Sequence, residues 1–460
     1  PQQGSLQLQT GMQLSARNIR GPNLIAAPLH AHSQQPLTLN WHDHELNAAS
    51  VQLQLDGSAI QLADQHYRFQ SVAAAAHDLH VDLNDPLAAT TQATFQLDGL
   101  TAPLGPYRTQ KLGISADLQL AQKAARGHWQ LSTPVEGLTL RGDFRHDLKS
   151  GSGMLTAQLA PFLFLESGRY LPKLLEHWSH PFDLSGGRLG FNARARWGAA
   201  LKAEADIDIQ NLAGFYDMNV FKDLTIHPTL TYADGTVTMP TAHLALNEVN
   251  VGFPVTQLQC DVAAQLPEEF RVSALSASLL GGHLTQPELH YRRHEKESRA
   301  TWRFEGLQLG ELVALEQNVE GNGVLDGELP VVLNSEGIAI ADGEFHARAP
   351  GGIIRYRGEL PQSTLATVPA LQLTLDSLKN FHYQMLDVRA DYAPSGDLEL
   401  GVGLRGRNPD LDEPRPVQFN LTIRENIPEL LRSLQLSRDI GDKLEQRIQE
   451  FYQHQQQETP

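Results

Sequence analysis

The chain has 460 residues, 41% of them hydrophobic and 19% charged, the composition of a folded protein and not of a disordered one. Its formal net charge of −17 excludes a nucleic-acid surface, which needs a basic footprint, and unaided adhesion to an anionic membrane. Cys260 is the only cysteine, so no disulfide forms within the chain, and no apolar run is long enough to cross a bilayer.

From Ser5 to about Ala160, short runs such as VQLQLDG, ATFQLDG and EGLTLRG place apolar residues at alternate positions. This is the period of a strand with one dry and one wet face. LQLDG at 53–57 recurs as FQLDG at 95–99, and an Asp-Gly pair closing such a run predicts a hairpin turn. The segment from Pro161 to Gly187 breaks the pattern. Leu171, Leu174, Leu175 and Trp178 are spaced as a helical stripe, with Pro172 in the first turn and Pro181 closing it, which predicts an amphipathic helix capping a β core.

Alternation resumes at Gly187 and continues to about Ile423 through RLGFNARARW, LQLTLDSL, DLELGVGLRG and PVQFNLTI. Beyond Asn426, Ile427, Leu430, Leu431 and Leu434 form one helical stripe, and Ile440, Leu444, Ile448 and Phe451 a second. The texture divides the chain into a first β field (1–160), a helical segment (161–186), a second β field (187–424) and a helical tail (425–460). The fold class is mainly β. Sandwiches in series, a closed barrel and an extended curved sheet share this pattern. An aromatic content of 7% gives no support for the girdles of an outer-membrane barrel, whereas periodicity does not separate a sandwich from an open sheet.

No stretch carries the signature of catalysis. GVGLRG (401–406) has the spacing of a dinucleotide loop but leads into Pro409, Pro414 and Pro416, where the required helix cannot form, so it reads as a strand. The pairs His30/His32 and His42/His44, with Glu45 nearby, lack a supporting Cys or H-E-x-x-H cluster and read as solvated surface, with no metal and no cofactor. Asp206 and Asp208 alternate with Ile207 and Ile209 as the wet face of a strand. Neither a nucleophile elbow nor a phosphate loop is present, and the chain is not expected to be an enzyme.

Four stretches resemble the YdbH family of the AsmA-like group, which includes TamB. They are SALSASLLGGHLTQPELHYR (273–292), the G-x-L-x-G-x-L-P-V core (Gly323–Val331), IADGEFHARAPGGIIRY (340–356) and FNLTIRENIPELLRSLQL (419–436). The resemblance is specific over about 270–440 and architectural upstream. It implies a long, curved, mostly antiparallel sheet forming an open half-pipe with an apolar groove, anchored in the inner membrane, reaching through the periplasm and carrying phospholipid toward the outer membrane. The family's N-terminal transmembrane helix is missing, and the chain begins at Pro1 without Met, so an anchor is expected upstream.

On this reading, acyl chains contact the one-sided rows Leu325, Leu329, Val331, Leu333, Ile338, Ile340, Leu371, Leu373, Leu375, Leu398, Leu400, Val402 and Leu404. The last strand, with Val417, Phe419, Leu421 and Ile423 on one face, is expected to offer an edge to a partner. The family implies a small outer-membrane lipoprotein (YnbE-like) that pairs through strands, and a periplasmic YdbL-like protein. An envelope assembly protein offering sheet edges is the alternative.

Overall fold

The alternating runs become strands throughout. The structure, a computed structural model, describes residues 3–429 except 359–374 and segments of four residues or fewer. Every pairing among the described strands is antiparallel, and the helices are short. The chain divides into two units, Pro1–Asp217 with Ile226–Pro240, and Met218–Thr225 with Thr241–Pro460.

In the first unit each long strand pairs with the next in the series Glu45–Leu62, Gln65–Asp82, Thr90–Leu100, Leu112–Ala121, Ala124–Ser132, Thr139–Asp147, Gly153–Phe164, Phe182–Trp197 and Lys202–Tyr216, and the last also pairs with Thr229–Ala233, past Asn219–Ile226. Short N-terminal strands pair along the far edge of Glu45–Leu62. The second unit repeats this meander through Pro254–Leu266, Glu269–Leu279, Gly282–Arg292, Glu297–Gln308, Val324–Asn334, Gly337–Ala347, Phe381–Tyr392, Asp397–Arg407 and Val417–Asn426. Among the described residues neither ladder pairs its last strand with its first, so neither closes into a barrel.

Each ladder is plugged where loops fold over its apolar face. In the first unit Val135, Leu138, Leu159, Phe164 and Tyr170 are buried together. Asp183, itself buried, accepts the backbone N–H groups of Tyr170 and Leu171 at 3.0–3.1 Å and of Leu184 at 2.9 Å. This carboxylate ties down the mid-chain helix, which spans only Leu171–Leu174. The predicted stripe is not realised beyond it. Leu175 is extended and bridges Thr109, and the Trp178 Nε1–H donates to the Phe182 carbonyl. Pro172 sets the start, but the chain is recruited by the sheet after one turn. In the second unit Leu309, Leu325, Phe381, Tyr383, Leu386, Leu404 and Phe419 form the plug, and the Tyr383 hydroxyl donates to the Asn322 carbonyl at 2.8 Å.

The Asp-Gly pairs depart from expectation. Asp56-Gly57 lies within the 18-residue strand Glu45–Leu62 and Asp98-Gly99 within Thr90–Leu100, so neither is a hairpin turn. Gly99, at φ +68, is a strand irregularity. A turn does form at Asp234-Gly235, where both residues have positive φ between two paired strands.

Many in-strand glycines serve another purpose: an aromatic ring from the paired strand covers the missing side chain. Gly4 pairs with Trp41, Gly142 with Trp129, Gly153 with Trp197 and Gly327 with Phe345, and a Cβ added at any of the four would meet the ring. Such glycine–aromatic pairs fix register and let a sheet bend. At Gly142 a Cβ would also overlap the Thr156 carbonyl oxygen, a backbone atom that cannot move aside. Gly142→Val is expected to cost about 2–4 kcal/mol by breaking the pairing there, read as a lower urea midpoint.

Candidate functional site

Register turns the one-sided strands of the first unit into rows that cross the sheet. Val72, Leu97, Ile114, Leu131, Leu140, Leu159, Phe191 and Ile207 are successive cross-strand partners. Four positions along, Ala93, Leu118, Gly127, Phe144, Leu155, Ala195 and Ala203 make a parallel row. Most of these side chains are half-buried, whereas the intervening Gln96, Ser115, Asp117, His128, Arg141, Asp143, Arg194 and Glu204 are exposed. Every long strand of the unit lies in one ladder, so no second long-stranded sheet among the described residues covers the apolar rows. A face of this kind, apolar, wide and half-wet, is the signature of an interaction surface.

A depression of about 940 Å³ lies in the same unit. Its lining mixes Ala74, Phe95, Ala116, Trp129, Ala157 and Ala193, from the row between those two apolar rows, with polar neighbours such as Asp117, His128, Asp143 and Arg194.

The second unit carries the residues singled out from sequence. Leu325, Leu329, Val331, Leu333, Ile338 and Ile340 do share a face: Val331 pairs with Ile340 and Leu333 with Ile338. Leu400, Val402 and Leu404 pair with Ile423, Leu421 and Phe419, while Leu398 lies opposite Glu425. Groove rows and final strand are thus one surface. That surface opens from one end to the other: Phe419 is 9% exposed, Leu421 39% and Ile423 43%. GVGLRG is in strand, as its prolines required.

Other expectations are corrected or fall elsewhere. Leu371 and Leu373 lie outside the described residues, as do the stripes beyond Glu429 and the side chains of His30 and His32. Leu375 belongs to a helical turn and not to a strand, with the Lys379 N–H donating to its carbonyl at 3.1 Å. Sequence reading missed Trp302, Phe345, Val388 and Tyr392, which occupy the same face opposite Leu329, Gly327, Val402 and Leu398. The signal was hidden by a register shift between Tyr383 and Met385, which moves the apolar positions from Phe381 and Tyr383 to Leu386, Val388 and Ala390. Among the described residues no three His, Cys, Asp or Glu side chains converge on a metal position, and no helix is long and apolar enough to cross a membrane.

On the wet face, Arg348 clamps Asp326 through Nε and Nη2 at 2.6 and 2.7 Å, and Asp326 also accepts the Gly306 N–H at 2.8 Å. The guanidinium holds the Asp326 carboxyl below its ordinary pKa. A depressed carboxyl adds stability that is present above its unfolded pKa, near 3.9, and lost as pH falls through the folded value. Asp326→Asn is therefore expected to melt slightly lower than wild type at pH 7, by a few degrees at most because the pair is wet, with the gap closing below about pH 4.

The family described as YdbH-like, intermembrane phospholipid transport protein YdbH, matches residues 2–449. No curated protein and no solved structure matches. A match over nearly the whole length, to a chain whose two units each carry an apolar sheet face, places it: the chain belongs to the YdbH-like family of intermembrane phospholipid transport proteins of the cell envelope.

Proposed function

We propose that the apolar face of each unit is a lane along which phospholipid tails travel between the inner and outer membranes, with headgroups left in water at an open seam of a half-pipe. The observation that carries this reading is the exposure gradient from Phe419 to Ile423 on a face shared with Leu400 and Val402. Residues packed at one end of a strand and uncovered at the other fit a core that something else completes. Exposing one tail of about sixteen carbons to water costs about 13 kcal/mol at ~0.8 kcal/mol per CH₂, which makes unaided transfer very slow. A row of Leu, Ile and Val lowers that cost without any catalytic group. Leu325, Leu329, Val331, Leu333, Ile338, Ile340, Leu398, Leu400, Val402 and Leu404 line the lane in the second unit, and the Leu97–Ile207 row lines it in the first.

The outer edge of Val417–Asn426 has no strand partner among the described residues. In this reading it receives a strand from a small outer-membrane lipoprotein of the YnbE type, with a YdbL-like protein assisting in the periplasm and a membrane anchor preceding Pro1. The same free edge favours the second reading, an assembly protein that offers strands to outer-membrane β-proteins.

Mass spectrometry of organic extracts from the purified protein separates the two. Bound phospholipid, crosslinked to a photoreactive residue placed at Ile423, is the expected result; clean protein would leave only the assembly reading. A cysteine scan of 416–424 tests the docking edge, and the absence of any envelope crosslink would remove it.

A further inference from the structure

The apolar face of the second unit carries two polar side chains that have no business in hydrocarbon. Gln286 is 2% exposed, and its Nε2 has no hydrogen-bond acceptor in the protein. Its strand, Gly282–Arg292, alternates buried Gly282, Leu284 and Gln286 with exposed His283, Thr285 and Pro287, so the amide shares the face of Leu284. Leu284 belongs to the apolar plug, and Leu275, the residue directly opposite Gln286 on the neighbouring strand, packs against it. On the other neighbour, Phe304 lies opposite Leu284, and Trp302 follows two positions along. The second orphan is Ser298, 4% exposed, whose Oγ is unpaired on that same strand, opposite Leu333 of the lane. An unpaired donor in such a shell costs about 1–3 kcal/mol, and a leucine in its place would cost nothing of the kind.

We infer that Gln286 is a positioning residue for the lipid cargo, donating its amide N–H to the acyl ester carbonyl of a glycerolipid lying in the lane. This rests on the lipid-lane reading and adds a specificity to it. The two ester carbonyls are the strongest acceptors that a diacyl lipid holds at the boundary between hydrocarbon and headgroup. A tail entering the lane moves the flanking side chains of Leu275 and Leu284, and no ladder hydrogen bond has to break. The amide then marks the depth at which a lipid halts, and it prefers ester-linked lipids to ether-linked ones, which lack the carbonyl.

The test loads the delipidated full chain from vesicles of ester-linked phosphatidylethanolamine or its dialkyl-ether analogue, and counts lipid per protein for wild type and Gln286→Leu. Wild type is expected to retain the ester lipid about three- to tenfold better than the ether lipid, the discrimination one buried hydrogen bond supplies. Gln286→Leu should bind the two alike while melting, without lipid, at the wild-type temperature or above. Equal retention of both lipids by wild type overturns the role of Gln286 and leaves the lane intact. Failure of wild type to retain either lipid overturns the lane itself. A lipid-free Gln286→Leu chain that melts several degrees lower also overturns the inference, because the amide would then be satisfied inside the fold, for example by a buried water.

Discussion

Replacing Leu400 and Ile423 together by aspartate is expected to strip bound phospholipid at least tenfold while the sheet stays folded. The two are cross-strand partners on the last two strands, one half-buried and the other 43% exposed, so a carboxylate at either still reaches water. Folding cost is therefore modest, and circular dichroism and the melting temperature should change little. For cargo the change is severe. Each substitution removes about 1.5–3 kcal/mol of apolar burial from a tail lying on the row, and it sets a hydrated charge beside hydrocarbon. Together they exceed about 3 kcal/mol, which corresponds to more than a hundredfold in affinity. Thr422→Asp, on the opposite face of the same strand, is the control and should keep its lipid. A folded double variant that retains lipid would show that tails do not use this row.

The second large effect concerns the plug. Phe381 is 0% exposed and its ring centroid lies 5.2 Å from that of Phe419, inside the cluster of Leu309, Leu325, Leu386 and Leu404. Truncation to alanine removes a whole ring from a site whose neighbours sit on four different strands and a helix, so it collapses poorly. The expected loss is about 3–5 kcal/mol, on the order of 10 °C in melting temperature for a unit of this size. Thermal and urea melts read it directly. A shift under about 1 kcal/mol would mean that the strands are held by their ladder alone and that the plug is incidental. The contrast between the pair of variants is informative. One empties the open end of the face at little structural cost, and the other destroys the closed end that keeps the face in shape.

How much of this was legible in the sequence follows from which forces are local. Strand period is local, so Leu398, Leu400, Val402 and Leu404 were assigned to one face correctly, and the prolines after Arg407 excluded a nucleotide loop. Turn chemistry is only half local. Asp-Gly tolerates positive φ, but whether the chain turns there depends on the partner strand, and at Asp56-Gly57 an 18-residue partner carries it straight through. The Leu171–Trp178 stripe had helical spacing, yet Leu175 found a bridge to Thr109 and tertiary pairing overrode propensity after one turn. Register lies furthest from sequence. The rows of the first unit, the rings laid over Gly142 and Gly327, and the isolation of Gln286 become visible only once strands are aligned, because each is a relation between residues on different strands.

The neighbour-to-neighbour order of the long strands has a consequence for growth. Since each pairs with the one before it, a ladder can form hairpin by hairpin as the chain leaves the ribosome, and few pairings wait for distant partners. The same order makes length a free variable. Inserting or deleting one hairpin moves the end of the ladder by about 10 Å without disturbing any other pairing. A transporter assembled this way could be matched to a wider or narrower gap between membranes by duplication alone.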